Sequence, residues 1–435
     1  MAGSTPTHAT LADWIAREML SFALDSPATL DAAAGTVVAS LDPAVELLGF
    51  GEALHGGEEI LILRNLLFQR LVDAHGYSAI AIESSLPWSR AVNDYVAGRG
   101  PTSYAAVEET GFSNGFGRLA ANRELVEWMR GYNADPAHRV KVRFYGFDMP
   151  GLAVGPASPR EELYFVLDYL AASDGASVQA QRGRIDQLLG QDARWENLMD
   201  WRDPAKVADL LAAANALRIE TEELIVALRT RRPELVARSD AGRYREAMQY
   251  AKVAREHLNF FVVLAGEGSF AASLGVRDAL MADNLAYIMA GERGRGKVLA
   301  FAHNTHLQRG EATMTLGADV YRWWPAGAQL NELFGARYAV IGSAVGFSEA
   351  NGIGQPEVGT LEASLTAAPG PLRFIPTHRG QGLPADAIGT LPLRSGSTNN
   401  PSYVTPLNPQ SFTDFDWLVI LDTTSYSRGG WPLQR

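Results

Sequence analysis

Four stretches of this 435-residue chain have the continuous apolar character of strands buried on both faces, and each runs into a titratable residue. Val45–Phe50 leads to Glu52 and His55, Ser78–Ile82 to Glu83, Val142–Phe147 to Asp148, and Val298–Ala302 to His303-Asn304-Thr305-His306. Strands of this kind, Ala79-Ile80-Ala81-Ile82 most plainly, belong to parallel sheets covered by helices on both sides. Ligands of open parallel sheets bind outside the carboxyl ends of the strands. Side by side, the four strands would deliver those residues to one polar pocket. The predicted fold is α/β, a mostly parallel sheet flanked by helices.

From Val45 to Pro150 the order of strands and helices is that of βαβ units. Between about Pro159 and Arg293 the texture is helical: Leu163–Ala171, Asp203–Arg229, Pro233–Val263 and Arg277–Ala290 carry the spacing, with no convincing strand among them. This predicts a large helical insertion capping the carboxyl ends of the strands, a common way to deepen a pocket. The division expected is residues 1–158 as the first part of an α/β core, 159–293 as the cap, and 294–435 as the second part of the core with long loops. Leu11–Phe22 and Leu30–Leu41 read as two short helices, Tyr338–Gly342 and Trp417–Leu421 as further strands, and 344–412 as surface loops rich in Gly, Pro, Ser and Thr.

Composition narrows the function classes. There is no cysteine, which removes disulfides, thiolate nucleophiles and cysteine–zinc sites together. A formal charge of −11 argues against nucleic-acid binding, which needs basic patches to displace counterions. No apolar run reaches the length of a membrane span, and the start of the chain lacks the pattern of a signal peptide. Arginine greatly outnumbers lysine, as in proteins of GC-rich bacteria. A cytoplasmic bacterial protein acting on a small molecule is expected, with no cofactor and no nucleic-acid or membrane partner.

Chemistry concentrates at the strand ends. His55 stands in a loop outside the apolar pattern, and a neutral imidazole near a carboxylate is suited to general-base work near neutral pH. Glu52, three residues earlier, could orient it. Arg64 shares a helix face with Ile60, Leu63, Leu67 and Leu71, so its guanidinium must be paired, and Glu52 and Glu83 are the partners expected. His303 and His306 could support an oxyanion if their N–H groups point where charge develops. Asp148 and Asn304 at strand ends, with Arg277 and Asn284 on one helix face, are candidates for contacting substrate.

Two rival arrangements use the same region. Gly111-Phe112-Ser113-Asn114-Gly115 matches the G-x-S-x-G elbow of serine hydrolases, with Asp148 and His303 following in order. That elbow needs a strand before the serine, whereas Tyr104–Thr110 reads as helix. His55, Glu83, His303 and His306 are also acceptable ligands for zinc or manganese. The H-E-x-x-H pattern is absent, however, and Arg64 beside the carboxylates would oppose a cation.

Taken in order, Gly51-Glu52-x-x-His55-Gly56, Arg64, Ala81-Ile82-Glu83, Val126-Glu127-Trp128-Met129-Arg130-x-Tyr132-Asn133, Ala302-His303-Asn304-x-His306 and the closing Asp416–Asp422 strand resemble the erythromycin esterase family over nearly the whole chain. The resemblance implies a two-domain α/β esterase that opens macrolide lactones with neither a metal nor a covalent serine intermediate. It implies His55 as the base that activates water, with Glu52, Arg64, Glu83, His303 and His306 completing the site. Leu54 replaces the family's usual threonine, and a tryptophan-rich stretch often found before the Trp128 motif is missing, which leaves the substrate open. The same residues would also serve a lyase or cyclase of natural-product biosynthesis, or a binding protein without turnover.

Overall fold

Along the central strands, alternate side chains enter two different cores. Ala79, Ala81, Val298, Ala300 and Ala302 join one, and Ile80, Ile82, Leu299 and Phe301 join the other. The period of two is that of a pleated strand with both faces covered. The computed structural model describes residues 10–152, 155–172, 175–266, 269–316, 319–383, 391–404 and 406–433. Among these, eight strands form the central sheet: β1 (Leu20–Phe22), β2 (Leu47–Glu52), β3 (Tyr77–Ser85), β4 (Arg143–Asp148), β5 (Lys297–His303), β6 (Tyr338–Phe347), β7 (Leu372–Pro376) and β8 (Trp417–Thr423). Their spatial order is β1-β7-β8-β6-β2-β5-β3-β4. Pairing is parallel from β8 through β4 and antiparallel where β7 meets β1 and β8. The four strands read from the sequence are therefore neighbours, in the order β2, β5, β3, β4.

One face of the sheet carries Glu58–His75 and Ala120–Ala134. Glu58–His75 starts behind Gly57 and ends at Gly76, whose left-handed conformation (φ 72°) lets its N–H reach the Leu71 carbonyl. Ala120–Ala134 carries the Trp128 motif, which proves to be a fastening. Asn133 exchanges hydrogen bonds with both peptide groups of Val142 at the entry to β4, and Trp128 packs edge-on against Phe68.

The other face takes the helical segment, comprising Arg160–Ala171, Gly175–Leu189, Val207–Thr230, Arg232–Arg238, Ala241–Leu264 and Ser269–Glu292. The small residues of β3 and β5 leave room there for Ser269–Glu292, which lies on β3, β4 and β5. The reading Pro233–Val263 splits in two because Asp240 caps a fresh helix, accepting from the N–H groups of Gly242 and Arg243.

Other expectations change at their ends. Leu11–Phe22 is helical only to Glu18, and Leu20–Phe22 becomes the edge strand β1. Tyr104–Thr110 is a single 3₁₀ turn at Tyr104–Ala106 followed by turns. Within 344–412 the chain forms the end of β6, a helix at Leu361–Thr366 and β7, so only part of that stretch is loop. No helix among the described residues is long and apolar enough to cross a membrane.

Candidate active site

Glu52 ends β2 beside His303, which ends β5. A side chain at Gly51 would strike Asn304, whose Oδ1 lies 2.3 Å from the position a Cβ would take. That close approach lets Asn304 bridge to β6, accepting from Ser343 N–H at 3.1 Å and donating to its carbonyl at 2.8 Å. With both ends of its amide committed, Asn304 is a strut and not the substrate contact the sequence suggested.

The chain leaves Glu52 through a turn in which Gly56 adopts φ 77°, and His55 reaches back over the strand end. Its Nδ1 lies 2.7 Å from Glu52 Oε1. The other ring nitrogen, Nε2, is 3.8 Å from Glu83 Oε1, too far for a direct hydrogen bond. The His55 side chain keeps 29% of its exposure, whereas Glu52 and Glu83 are buried.

Glu83 is the hub. Its Oε2 accepts the backbone N–H of His303 at 2.8 Å. Its Oε1 accepts Arg277 Nη2 at 2.8 Å and lies 3.3 Å from His306 Nε2. Arg277 also clasps Asp148, from Nε to Oδ1 at 3.0 Å and from Nη2 to Oδ2 at 2.5 Å. Behind His306, Asp278 Oδ1 lies 2.9 Å from Nδ1 and is itself held by Trp323 and the Ala326 N–H. Asp278 was missed in the sequence. The signal available was an Arg277-Asp278 pair opening an otherwise apolar helical stretch.

These contacts set the charges. Burial alone would discharge His306, but Asp278 and Glu83 at its two nitrogens outweigh that and push its pKa up to about 10. Burial would likewise raise Glu83, but His306, His55 and Arg277 pull it well below the usual carboxylate range. His55 faces the same contest: burial lowers it, and the charge of Glu83 and the Glu52 hydrogen bond raise it above the ordinary histidine value. Glu52 is raised, chiefly by burial. Its second oxygen, Oε2, has no hydrogen-bond partner among the described residues.

Two expected roles do not fit the geometry. His303 Nδ1 faces the N–H of Thr305, so it must accept, and Nε2 faces the carbonyl of Ala53, so it must donate. Its one N–H is therefore unavailable to an oxyanion. Burial and the neighbouring His55 lower its pKa to about 3, so the ring stays neutral. Arg64 forms no ion pair with Glu52 or Glu83. It binds Asn65 Oδ1 through Nε and Nη2 at 3.0 and 2.7 Å and lies over the Phe301 ring, while desolvation lowers its pKa to about 10. Glu52 still feels it as the nearby cation. Asn284 is also buried away from ligand, spanning Gln249 and the Phe147 carbonyl.

The serine arrangement fails on position. Ser113 is buried, and its Oγ accepts the N–H groups of Ser85 and Gly151. No group of three or more His, Asp or Glu among the described residues is placed to hold a metal ion. The ring nitrogens of His303 and His306 are spent on other partners, and Arg277 stands between Glu83 and Asp148.

A cavity of about 470 Å³ opens above this floor. His55, Glu83, Asp148 and Arg277 reach it from below. Phe116, Leu119, Leu152 and Met149 line it from the core, and Leu198, Phe260, Phe270 and Leu274 from the helical segment. Asn400, Ser402, Tyr426 and Trp431 close the remaining side. Those four lie in loops without periodicity, and no sequence pattern pointed to them.

The family model described as erythromycin esterase matches residues 72–424, most of the chain. The chain belongs to the erythromycin esterase family. Erythromycin esterase type II of Escherichia coli is 22% identical over 302 residues, 68% of each chain. Among solved structures, a Bacillus cereus protein superposes with a TM-score of 0.74 at 16% identity, covering 97% of this chain and 98% of its own. A succinoglycan biosynthesis protein gives 0.72 at 18% identity, with 97% and 98% covered. A histidine-to-asparagine variant of the erythromycin esterase EreC, in its open conformation, gives 0.67 at 16%, with 94% and 98% covered. At these identities the structures share the fold. In this erythromycin esterase family member, Glu52, His55 and Arg64 precede the matched span, whereas Glu83, Asp148, Arg277, His303 and His306 lie within it.

Proposed function

We infer that the protein hydrolyses an ester or lactone, in the manner of a macrolide esterase, by metal-independent attack of water with His55 as general base. The observation that carries this reading is the asymmetry of the His55 ring. Nδ1 is fixed by Glu52, which leaves Nε2 as the proton acceptor at the pocket floor. A base oriented by a carboxylate at its far nitrogen is the logic of the hydrolase triads, with water here in place of the serine.

Water hydrogen-bonded to both His55 Nε2 and Glu83 Oε1 would bridge their 3.8 Å separation. As its oxygen bonds to the carbonyl carbon, one proton passes to Nε2 and the carbonyl electron pair moves onto oxygen. Arg277, which lines the pocket, takes over the oxyanion role first considered for His303 and His306. Collapse of the tetrahedral intermediate breaks the ester C–O bond, and His55 returns its proton to the departing alkoxide. His306 and Asp278 keep Glu83 anionic and in place, and Asp148 holds Arg277 in aim. Arg64 balances Glu52 through space.

The test is a panel of macrolide and simple lactones and esters, assayed in ¹⁸O-water with and without a chelator. Hydrolysis is expected to place one solvent oxygen in the product acid and to be indifferent to chelation. Turnover with no solvent oxygen incorporated would turn the reading to the lyase or cyclase, and bound but unchanged ligand to a binding protein. Inactivation by chelator would return a metal to the mechanism.

A further inference from the structure

His55 lies in a turn, outside both strand and helix, so the hydrogen bonds of its peptide groups have to come from elsewhere. They come from a segment more than 340 residues later in the chain. Ser402 Oγ accepts the His55 N–H at 2.8 Å, and Asn400 Nδ2 donates to the His55 carbonyl at 3.0 Å. The orientation of this pair is determined on every side. Asn400 Oδ1 accepts both the Ser402 hydroxyl at 2.6 Å and the Ser402 N–H at 3.0 Å, and Nδ2 also donates to Asn351 Oδ1 at 2.8 Å. The Ser402 proton is thus committed to Asn400, which leaves its oxygen to accept from His55. Ser397 holds the segment in turn, accepting the N–H groups of Asn399 and Asn400. Asn400 and Ser402 both line the catalytic cavity.

We propose that Asn400 and Ser402 are positioning residues for the hydrolysis, gripping both peptide groups of His55 so that its ring stays against Glu52 and its free nitrogen stays aimed at the bound water. This rests on the base role given to His55 above. Because the grip forms part of the cavity wall, an occupant of the cavity touches the device that aims the base. Misplacing a reacting group by an ångström costs on the order of 100-fold in rate.

The experiment compares Ser402→Ala, Ser402→Thr and Asn400→Asp in the full chain. It measures kcat and KM on the best substrate of the panel, the urea midpoint, and the titration of the His55 ring by NMR on ¹⁵N-histidine protein. Asn400→Asp is isosteric and replaces the donor facing the His55 carbonyl with an acceptor, so it carries the comparison should Ser402→Ala not fold. Ser402→Ala and Asn400→Asp are expected to lower kcat about 10- to 100-fold, more than they raise KM. They should also move the His55 titration towards that of a free histidine, whereas Ser402→Thr, which keeps the hydroxyl, restores both. Wild-type kcat and an unmoved titration in Ser402→Ala and Asn400→Asp would overturn the proposal. So would a loss that Ser402→Thr shares in full and that tracks the urea midpoint alone. Were His55→Ala to retain activity while Ser402→Ala still moved the His55 titration, the grip would stand and the base role would fall.

Discussion

His55 and His303 are imidazoles whose ring centroids lie 5.5 Å apart, and their hydrogen bonds give them opposite characters. His303 has both nitrogens satisfied inside the protein, whereas His55 has one fixed and one left to the pocket. Glu52 sits at the centre of the difference. A base must be unprotonated to act, and the raised His55 pKa places the acid limb of its rate profile above the ordinary value of about 6.5. Replacing Glu52 by Gln removes the negative charge and leaves Nδ1 only a weaker, neutral acceptor, so the His55 pKa must fall. The expected outcome is an acid limb of kcat/KM displaced to lower pH, with a lower plateau from a less firmly oriented ring. An unmoved limb would separate Glu52 from the base. At this scale the sequence named the residues more reliably than their partners. Glu52, His55, Glu83, Asp148 and His306 converge because they lie at or just beyond neighbouring strand ends, and Arg277 joins them from the helix Ser269–Glu292. Arg64 was expected to meet a carboxylate and instead meets Asn65 and Phe301, since one turn of helix decides which buried group is within reach. Asn284 and Asn304 proved to be struts, because buried amides are more often spent on backbone than left for ligand.

Two consecutive residues of Ser269–Glu292 tie that helix to the sheet, Arg277 through Asp148 and Glu83 and Asp278 through His306. This docking makes stability depend on pH in a defined direction. His306 holds its proton more tightly folded than unfolded, so its contribution is complete below about 6.5 and fades as pH rises through about 10. Glu83 has the opposite sign: its depressed pKa contributes fully above the ordinary carboxylate range, and the contribution is lost as pH falls through the folded value. In urea titrations the stability gap between wild type and His306→Gln should therefore narrow between about pH 7 and pH 11. A constant gap would mean that His306 is neutral in the folded protein. The elements themselves were largely legible. Continuous apolar runs located β2, β3, β4 and β5, and helical periodicity located most of the long helices. The two strands of the central sheet that were missed are short: Leu20–Phe22 is an edge piece paired to Leu372–Pro376, which in turn pairs with Trp417–Thr423, and a local pattern does not record pairing.

Across the molecule, the cavity lining runs from His55 to Leu433, and the last third of the chain supplies one side of it. The stretch read as surface loops turns inward at Asn400 and Ser402, and Gly, Pro, Ser and Thr carry no periodicity from which that return could be inferred. The helical segment was legible as a block, expected as a cap over the strand ends; it lines the pocket through Leu198, Phe260, Phe270 and Leu274 and also covers one face of the sheet. What the α/β topology guarantees is the floor, and what the loops and helices decide is which molecule rests on it. The central claim is that this floor presents one imidazole nitrogen to water as a base. It is tested most directly by His55→Ala assayed on a hydrolysed substrate with and without added imidazole. General-base catalysis contributes about 10²- to 10⁴-fold, so turnover should fall by at least that order, and free imidazole should restore part of it with a pH dependence set by its own neutral form. A His55→Ala protein that turns over at the wild-type rate, or whose lost rate imidazole leaves untouched while formate rescues it, would contradict the account.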